Sequence, residues 1–332
     1  MNRIKYYFRR LKSLDYKNMI RTAKEIAKKN HKFSFFIFID MIWCSIFYQS
    51  GYIDYYEFEF YLLNRKERQT FITGGIANSI IVKYNQKEFR HLFADKVNFN
   101  KTFKNYIGRD YLDIREASLE EVNAFLLRHE FFMAKAIDSL MGHGVEKFES
   151  KEIENVEAFV AKRLENRQFL FEEYFIQHPE LSRLYPDSVN TIRMITFFDG
   201  KDVHILEGVL KLGNGGNLDN FGAGGMYTVL SDDGIVQYPA FDKNDIAYKQ
   251  HPITHQDLIG FKIPLYEDVC ELLDKAARVV PEIQYVGWDV AISATKPVLI
   301  EGNYNTGVFQ MKPSLTGVKT GLLPKFSSII EL

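Results

Sequence analysis

Asp289, Glu301 and Asn303 are the residues whose types and spacing most invite chemistry. They lie in Tyr285-Val-Gly-Trp-Asp-Val-Ala-Ile292 and Pro297-Val-Leu-Ile-Glu-Gly-Asn303, two runs rich in β-branched and aromatic residues. The polar Ser-Ala-Thr-Lys between them has the length of a hairpin loop, so the pair reads as two antiparallel strands. Glu301 and Asn303 are two apart and share a strand face. With a three-residue turn centred on Thr295, Asp289 stands directly across from Glu301. Like charges opposite one another destabilise a ladder, and an unpaired charge in an apolar run is costly to bury. A cation resolves both problems. Hard oxygen ligands in a small cluster suit Mg²⁺, which takes one or two carboxylates together with phosphate oxygens of a nucleotide. Spacing alone leaves a plainer alternative open, a solvated hairpin with acids placed by chance.

Four pieces upstream look like the rest of a nucleotide site. Phe93-Ala-Asp-Lys96-Val and Phe132-Met-Ala-Lys135-Ala-Ile each set a lysine beside apolar residues. A buried ammonium needs an anion, although a lone lysine is more often a snorkelling surface residue. In Met141-Gly-His-Gly-Val145, residues Gly142, His143 and Gly144 form a short loop whose backbone N–H groups could converge on a phosphate; a lone Gly-x-Gly is also an ordinary turn. Phe169-Leu-Phe-Glu172-Glu173-Tyr174-Phe175 is a strand ending in two acids and aromatics, where backbone groups could meet an adenine.

Arg193 alternates with Val189, Thr191, Ile195 and Phe197 on a mostly apolar face, so its guanidinium must find a partner. Glu207 across a hairpin is the bland partner. The sharper reading gives it a carboxylate or a transferring phosphoryl group, which its planar fork suits. Lys211 is a weaker candidate beside it. The Gly213–Gly225 stretch, with Asn220, reads as a mobile lid or acceptor loop, or as a merely flexible one.

The elements that must position these residues follow from local pattern. Ser118-Leu-Glu-Glu121 is a capping box opening a helix to about 129. Strands are expected at 131–137 and 168–176, with a helix at 152–166 between them. Residues 189–198 and 203–212 form a hairpin over Asp199-Gly-Lys-Asp202. A helix at 266–280, with Val269, Leu272, Leu273, Ala276 and Val279 on one face, stops before Pro281 and leads into the metal hairpin. Residues 34–63 read as a buried helix pair broken at Ser50-Gly51. The whole is an α+β chain with antiparallel sheets.

At 332 residues the chain can form two or three subdomains. Its two cysteines, Cys44 and Cys270, have no metal-type spacing, which argues against zinc or a disulfide framework and fits a reducing cytoplasm. The apolar run from Phe33 to Tyr48 comes too late for a cleavable signal, holds Asp40, and is short for a membrane span. Net charge is −1, yet residues 1–32 hold eleven Lys or Arg against Asp15 and Glu25. There Ile4, Phe8, Leu11 and Leu14 recur at helical spacing among cations, a pattern that can lie on an anionic membrane or pack on its own domain. No nucleic-acid partner is expected, and the oligomeric state is open.

In order and spacing these pieces resemble the ATP-grasp superfamily. Ser188-Val-Asn-Thr-Ile-Arg193, Asp219-Asn-Phe-Gly-Ala-Gly-Gly225, Tyr285-Val-Gly-Trp-Asp289 and Leu299-Ile-Glu-Gly-Asn303 look more closely like the sugar-transfer-associated ATP-grasp family, over roughly residues 30–325. The resemblance implies an ATP-grasp fold, two α+β subdomains clasping ATP between antiparallel sheets, with an N-terminal helical extension. On this reading residues 1–92 are the helical region with its basic head, 93–168 the N-terminal subdomain and 169–332 the C-terminal one. Lys96 and Lys135 contact ATP phosphates, covered by Gly142, His143 and Gly144. Glu172, Glu173, Tyr174 and Phe175 form the adenine hinge, and Asp289, Glu301 and Asn303 hold Mg²⁺, with Mn²⁺ an alternative. Arg193 and Lys211 are the catalytic pair, and Asn190, Arg193, Asn220, Gly224 and Gly225 face the substrate.

The implied reaction is ligation. A carboxylate is phosphorylated and then attacked by an amine or other nucleophile, with small-molecule acids, amines or sugars as substrates in surface-polysaccharide or sugar-nucleotide assembly. It would take place in the cytoplasm, with peripheral contact at the inner membrane face. A sugar kinase and a non-catalytic nucleotide-binding scaffold are the alternatives. The departures are a phosphate loop with only Gly142 and Gly144, no proline before Gly307, and Gly287-Trp288 where relatives place an arginine. They bear on the substrate more than on the fold.

Overall fold

The computed structural model describes residues 14–136 and 144–332. The basic run over 1–13, with the expected amphipathic helix, lies outside the described residues, as do Gly142 and His143. The described chain divides into two compact units, one running to Lys83 and including Asn305–Leu332, the other spanning Tyr84–Tyr304.

In the first unit, helix α1 (Tyr16–Asn30) starts at the cap Asp15, whose carboxylate accepts from Asn18 N, and stops at His31 in the left-handed region. Met19, Ala23, Ile26 and Ala27 recur at helical spacing and pack on helix α2 (Ser34–Phe47). The expected break at Ser50-Gly51 separates α2 from helix α3 (Tyr52–Glu57). Burial of the pair is one-sided, however. Ile37, Met41 and Cys44 enter the core, while Phe35, Phe36, Ile39, Trp43 and Phe47 stay exposed. A helix that is apolar all round still offers only one face to a small unit. Asp40, which interrupts the run, takes two hydrogen bonds from the Arg68 guanidinium at 2.8 and 2.7 Å and one from the Tyr55 hydroxyl at 2.7 Å.

The second unit holds two antiparallel sheets. After helix α4 (Lys96–Thr102), the smaller sheet is built from β1 (Tyr111–Asp113), β2 (Phe131–Lys135), β3 (Val145–Glu149) and β4 (Leu170–Glu173), in the order β1-β4-β2-β3. Helices α5 (Leu119–Arg128) and α6 (Val156–Glu165) cover it through a core that includes Phe125, Phe132, Phe148, Phe159 and Phe171. The capping box forms as expected, Ser118 Oγ accepting from Glu121 N and the Glu121 carboxylate from Ser118 N. Asp95 belongs to the same class. Its carboxylate caps α4 by accepting from Val97 N and Asn98 N, so this acid serves the helix.

The larger sheet comprises β5 (Ile192–Phe198), β6 (Val203–Leu212), β7 (Met226–Val229), β8 (Ala240–Asp242), β9 (Ala247–Tyr248), β10 (Tyr285–Ile292) and β11 (Pro297–Asn303), in the order β11-β10-β5-β6-β7-β8-β9. Helix α7 (Tyr266–Ala277) seals it with Val269, Leu273 and Ala276. Trp288, fully buried, packs edge-on to Phe103, and its indole N–H donates to Thr196 Oγ1 at 2.8 Å. Burying such a ring stabilises by about 1.5–3 kcal/mol or more.

The hairpin turn differs from expectation while its key pairing does not. Ile292 pairs with Pro297, which makes a four-residue loop, and Val290 pairs with Leu299. An extra residue, Ile300, then shifts the register, so Asp289 pairs with Glu301 and Gly287 with Asn303. A β-bulge, rather than a three-residue turn, sets the two acids opposite one another.

Candidate functional site

Strand order decides what surrounds Asp289. Because β10 lies between β11 and β5, Asp289 pairs with Glu301 on one side and with Arg193 on the other. Arg193 Nε donates to Asp289 Oδ1 at 2.5 Å and Nη2 to Oδ2 at 2.7 Å, a two-pronged contact. The expected partner Glu207 stands instead opposite Ile195. Lys211, on the next strand, reaches Asp289 Oδ2 at 3.3 Å and Asp219 Oδ1 at 3.7 Å. Asp219 also accepts from Thr191 N at 2.9 Å and from the Thr191 hydroxyl. Glu301 lies 3.7 Å from Arg193 Nη2 and accepts from Asn303 Nδ2 at 3.1 Å.

The electrostatics separate the two hairpin acids. Burial favours a neutral Asp289, but Arg193 and Lys211 outweigh it and hold the carboxyl well below its usual range. Glu301 is pushed the other way, first by burial and then by the Asp289 charge. Burial also opposes the charged forms of Arg193 and Lys211, yet the surrounding carboxylates keep both above their ordinary values. Asp289 has a side-chain exposure of 5 % against 42 % for Glu301, so the cluster opens to solvent on the Glu301 side. Among the described residues no three His, Cys, Asp or Glu side chains form a metal-type group. The set here is two carboxylates and an amide.

A second cluster sits on the small sheet. Lys135, at the end of β2, donates to Glu172 on β4, which also accepts from Asn100 Nδ2 at 2.7 Å and Arg109 Nη2 at 3.0 Å. Burial would raise the Glu172 carboxyl, but Arg109 and Lys135 hold it far below the usual range. The Glu172 carboxylate is therefore engaged by the chain's own donors. Glu173 accepts from Asp110 N at 3.0 Å, and Tyr174 lies under the Lys147 ammonium at 4.0 Å, with half-buried Phe175 following. Lys96 Nζ donates to Ala136 O at 3.3 Å. Gly144 takes φ +71° and its carbonyl accepts from Ala136 N.

Arg109 joins the clusters and was missed from sequence. Buried in the segment just before β1, it donates to Glu172 and to the carbonyls of Leu299 at 2.6 Å and Ile300 at 3.3 Å, the latter two at the bulge. Asp219 was quoted within a motif but not chosen. Neither carries a local signal, since both find their partners across long sequence separations.

The remaining expected residues lie beside the glycine stretch. Asn190 is fully buried; its Oδ1 accepts from Gly213 N, and its Nδ2 donates to the carbonyls of Leu181 and Tyr185. It holds the start of the loop rather than lining open space. Asn220 caps the turn at 221–223 by accepting from Gly222 N, Gly224 has φ +107°, and a Cβ at Gly225 would meet Asp219 O at 2.4 Å.

A family model described as sugar-transfer associated ATP-grasp matches residues 76–322. The chain belongs to the sugar-transfer associated ATP-grasp family. Among solved structures, this ATP-grasp chain is similar to the ATP-grasp ligase PsnB complexed with minimal precursor, at 12% identity over 79% of this chain and 69% of that one, TM-score 0.42. It is also similar to D-alanine–D-alanine ligase from Bacillus anthracis, at 14% identity, 76% and 69% coverage and TM-score 0.40. A third is D-cycloserine synthetase DcsG, at 14% identity, 75% and 74% coverage and TM-score 0.41. No curated protein sequence matches the chain. Within the matched span lie both clusters and the bulge that registers the hairpin acids.

Proposed function

We propose that this ATP-grasp chain is an ATP- and Mg²⁺-dependent ligase. It activates a carboxylate as an acyl phosphate for attack by an amine or other nucleophile, in surface-polysaccharide or sugar-nucleotide biosynthesis. The observation that carries the proposal is the hairpin cluster, where Asp289 and Glu301 face each other beside Arg193 and Lys211. With Asp219 it holds one more carboxylate than cations, and the upward push on Glu301 is what a divalent ion relieves. The oxygens of Asp289, Glu301 and Asn303 suit Mg²⁺, or Mn²⁺, as ligands. When bound, the ion neutralises phosphate charge.

The chain's own residues supply the rest. Arg193 and Lys211 stabilise the phosphoryl group in transit. Lys96, Lys135 and the Gly142–Gly144 loop receive the phosphates, and Glu172 aims Lys135. The adenine edge then falls to backbone and side chains from Glu173 through Tyr174 to Phe175. Asn220, Gly224 and Gly225 border the acceptor, anchored through Asn190. On the bounds 93–168 and 169–332, the C-terminal subdomain brings the hairpin cluster, and the small-sheet cluster joins Arg109 and Lys135 of the first to Glu172 of the second. The γ-phosphorus breaks from ADP as a substrate carboxylate oxygen bonds to it; the nucleophile then attacks the acyl carbon and phosphate leaves. The family description supports a sugar-linked acid or acceptor. The proposed reaction belongs in the cytoplasm, with the basic run over 1–14 at the inner membrane face.

ADP and phosphate release from ATP, amino acids and uronic-acid sugars tests the proposal. Asp289→Ala and Glu301→Ala should each lose about a hundredfold or more. Undiminished turnover in both overturns the metal assignment, and a stable phosphorylated product without free phosphate replaces the ligase by a kinase.

A further inference from the structure

Helix α2 and its cap Phe33 carry a stripe of large apolar side chains that stay exposed among the described residues. Phe33, Phe35, Phe36, Ile39, Trp43 and Phe47 are 77, 66, 68, 47, 48 and 52 % exposed. From Phe36 onward they recur at three- and four-residue steps, opposite the buried Ile37, Met41 and Cys44. An apolar patch of this extent on a folded unit marks an interaction surface.

The neighbouring helix indicates the partner. On α1, Lys17, Arg21, Lys24 and Lys28 are exposed and follow one line of the helix, turned away from the buried Met19, Ala23 and Ile26. Asp40, the acid within α2, is already paired with Arg68. The run over 1–13 adds five more Lys or Arg and no acid. An exposed aromatic stripe on one helix and an exposed cationic line on the helix packed against it are complementary to an anionic lipid surface: rings enter the headgroup boundary and ammonium groups meet the lipid charge. A second copy docked face to face would set stripe on stripe but also cations on cations. Among the described residues no helix is long and apolar enough to cross a membrane, so the contact would be peripheral.

We propose that the exposed α2 face docks the protein on an anionic membrane surface, with α1 supplying the charge. This contact is independent of the ligase reading.

The chain contains its own reporter. It has two tryptophans, Trp43 in the stripe and Trp288 in the core. With the full-length protein, vesicles of phosphatidylcholine containing phosphatidylglycerol should shift Trp emission to the blue and protect it from iodide. Phosphatidylcholine alone should do neither, and added salt should reverse the effect. Trp43→Phe should abolish the change. Phe35→Asp with Phe36→Asp should lower vesicle affinity at least about tenfold, as should Lys24→Glu with Lys28→Glu; unchanged melting of these surface variants separates docking from folding. Vesicle binding unaffected by the Phe35/Phe36 pair overturns the proposal. So does a shift that depends on protein concentration without lipid, the result a self-associating face would give.

Discussion

Replacing Arg109 with leucine removes the group that ties Glu172 to the bulge at Ile300. Arg109 and Glu172 are each 3 % exposed at the side chain, and their contact is 3.0 Å. Breaking such a buried pair from one side costs about 3–5 kcal/mol, because the remaining charge is left uncompensated. Lys135 and Asn100 still hold Glu172, which lowers the cost. The carbonyls of Ile107, Leu299 and Ile300 lose a donor, at about 1 kcal/mol each if they stay dry, which raises it. About 4 kcal/mol results, a fall of about 8–16 °C in melting temperature for a unit the size of Tyr84–Tyr304.

Urea and thermal unfolding of Arg109→Leu, Glu172→Gln and the double variant measure this. The double variant should cost at least about 1 kcal/mol less than the two singles together, since neither Arg109 nor Glu172 is then left facing the loss of the other, while Lys135 loses its carboxylate in both Glu172 variants alike. Arg109→Lys should not restore stability, because an ammonium lacks the fork that spans these acceptors. Additive effects, or a cost under about 1 kcal/mol for Arg109→Leu, would refute the reasoning.

Acid should destabilise the protein through Glu172 and Asp289. Both have folded-state values below their ordinary ones of 4.5 and 3.8. Their stabilisation is present above those values and is lost as pH falls through them, by up to about 1.4 kcal/mol per pH unit per group. Urea midpoints from about pH 6 to 3 should fall less steeply in Glu172→Gln than in the parent; equal slopes exclude Glu172 as a contributor. Asn190→Ala should cost about 2 kcal/mol, because it leaves buried Gly213 N without its acceptor and takes one of two donors from each of the Leu181 and Tyr185 carbonyls; a cost under about 0.5 kcal/mol by urea unfolding counts against its anchoring role. Gly225→Ala forces its Cβ onto the Asp219 carbonyl, whereas Gly216→Ala meets nothing within 4 Å. Turnover should drop in the first and hold in the second, and equal rates would show that the loop yields freely.

Period-two runs, caps and turn residues are local, so the hairpin, the capping box at Ser118 and the main strands were legible in the chain itself. The facing of Asp289 and Glu301 was also legible, although the sequence suggested a three-residue turn and the structure uses Ile300. Charge partnership was not legible. Arg193 meets Asp289 rather than Glu207 because β10 is inserted beside β5, an adjacency set by packing between segments about a hundred residues apart. Arg109 and Glu172 find each other in the same way, and Asp95, beside Lys96 in its motif, serves as a helix cap. The apolar content of α2 was plain from composition, but its exposure was not. Hydrophobicity says that a side chain favours leaving water; only the tertiary arrangement decides whether the protein itself provides the place.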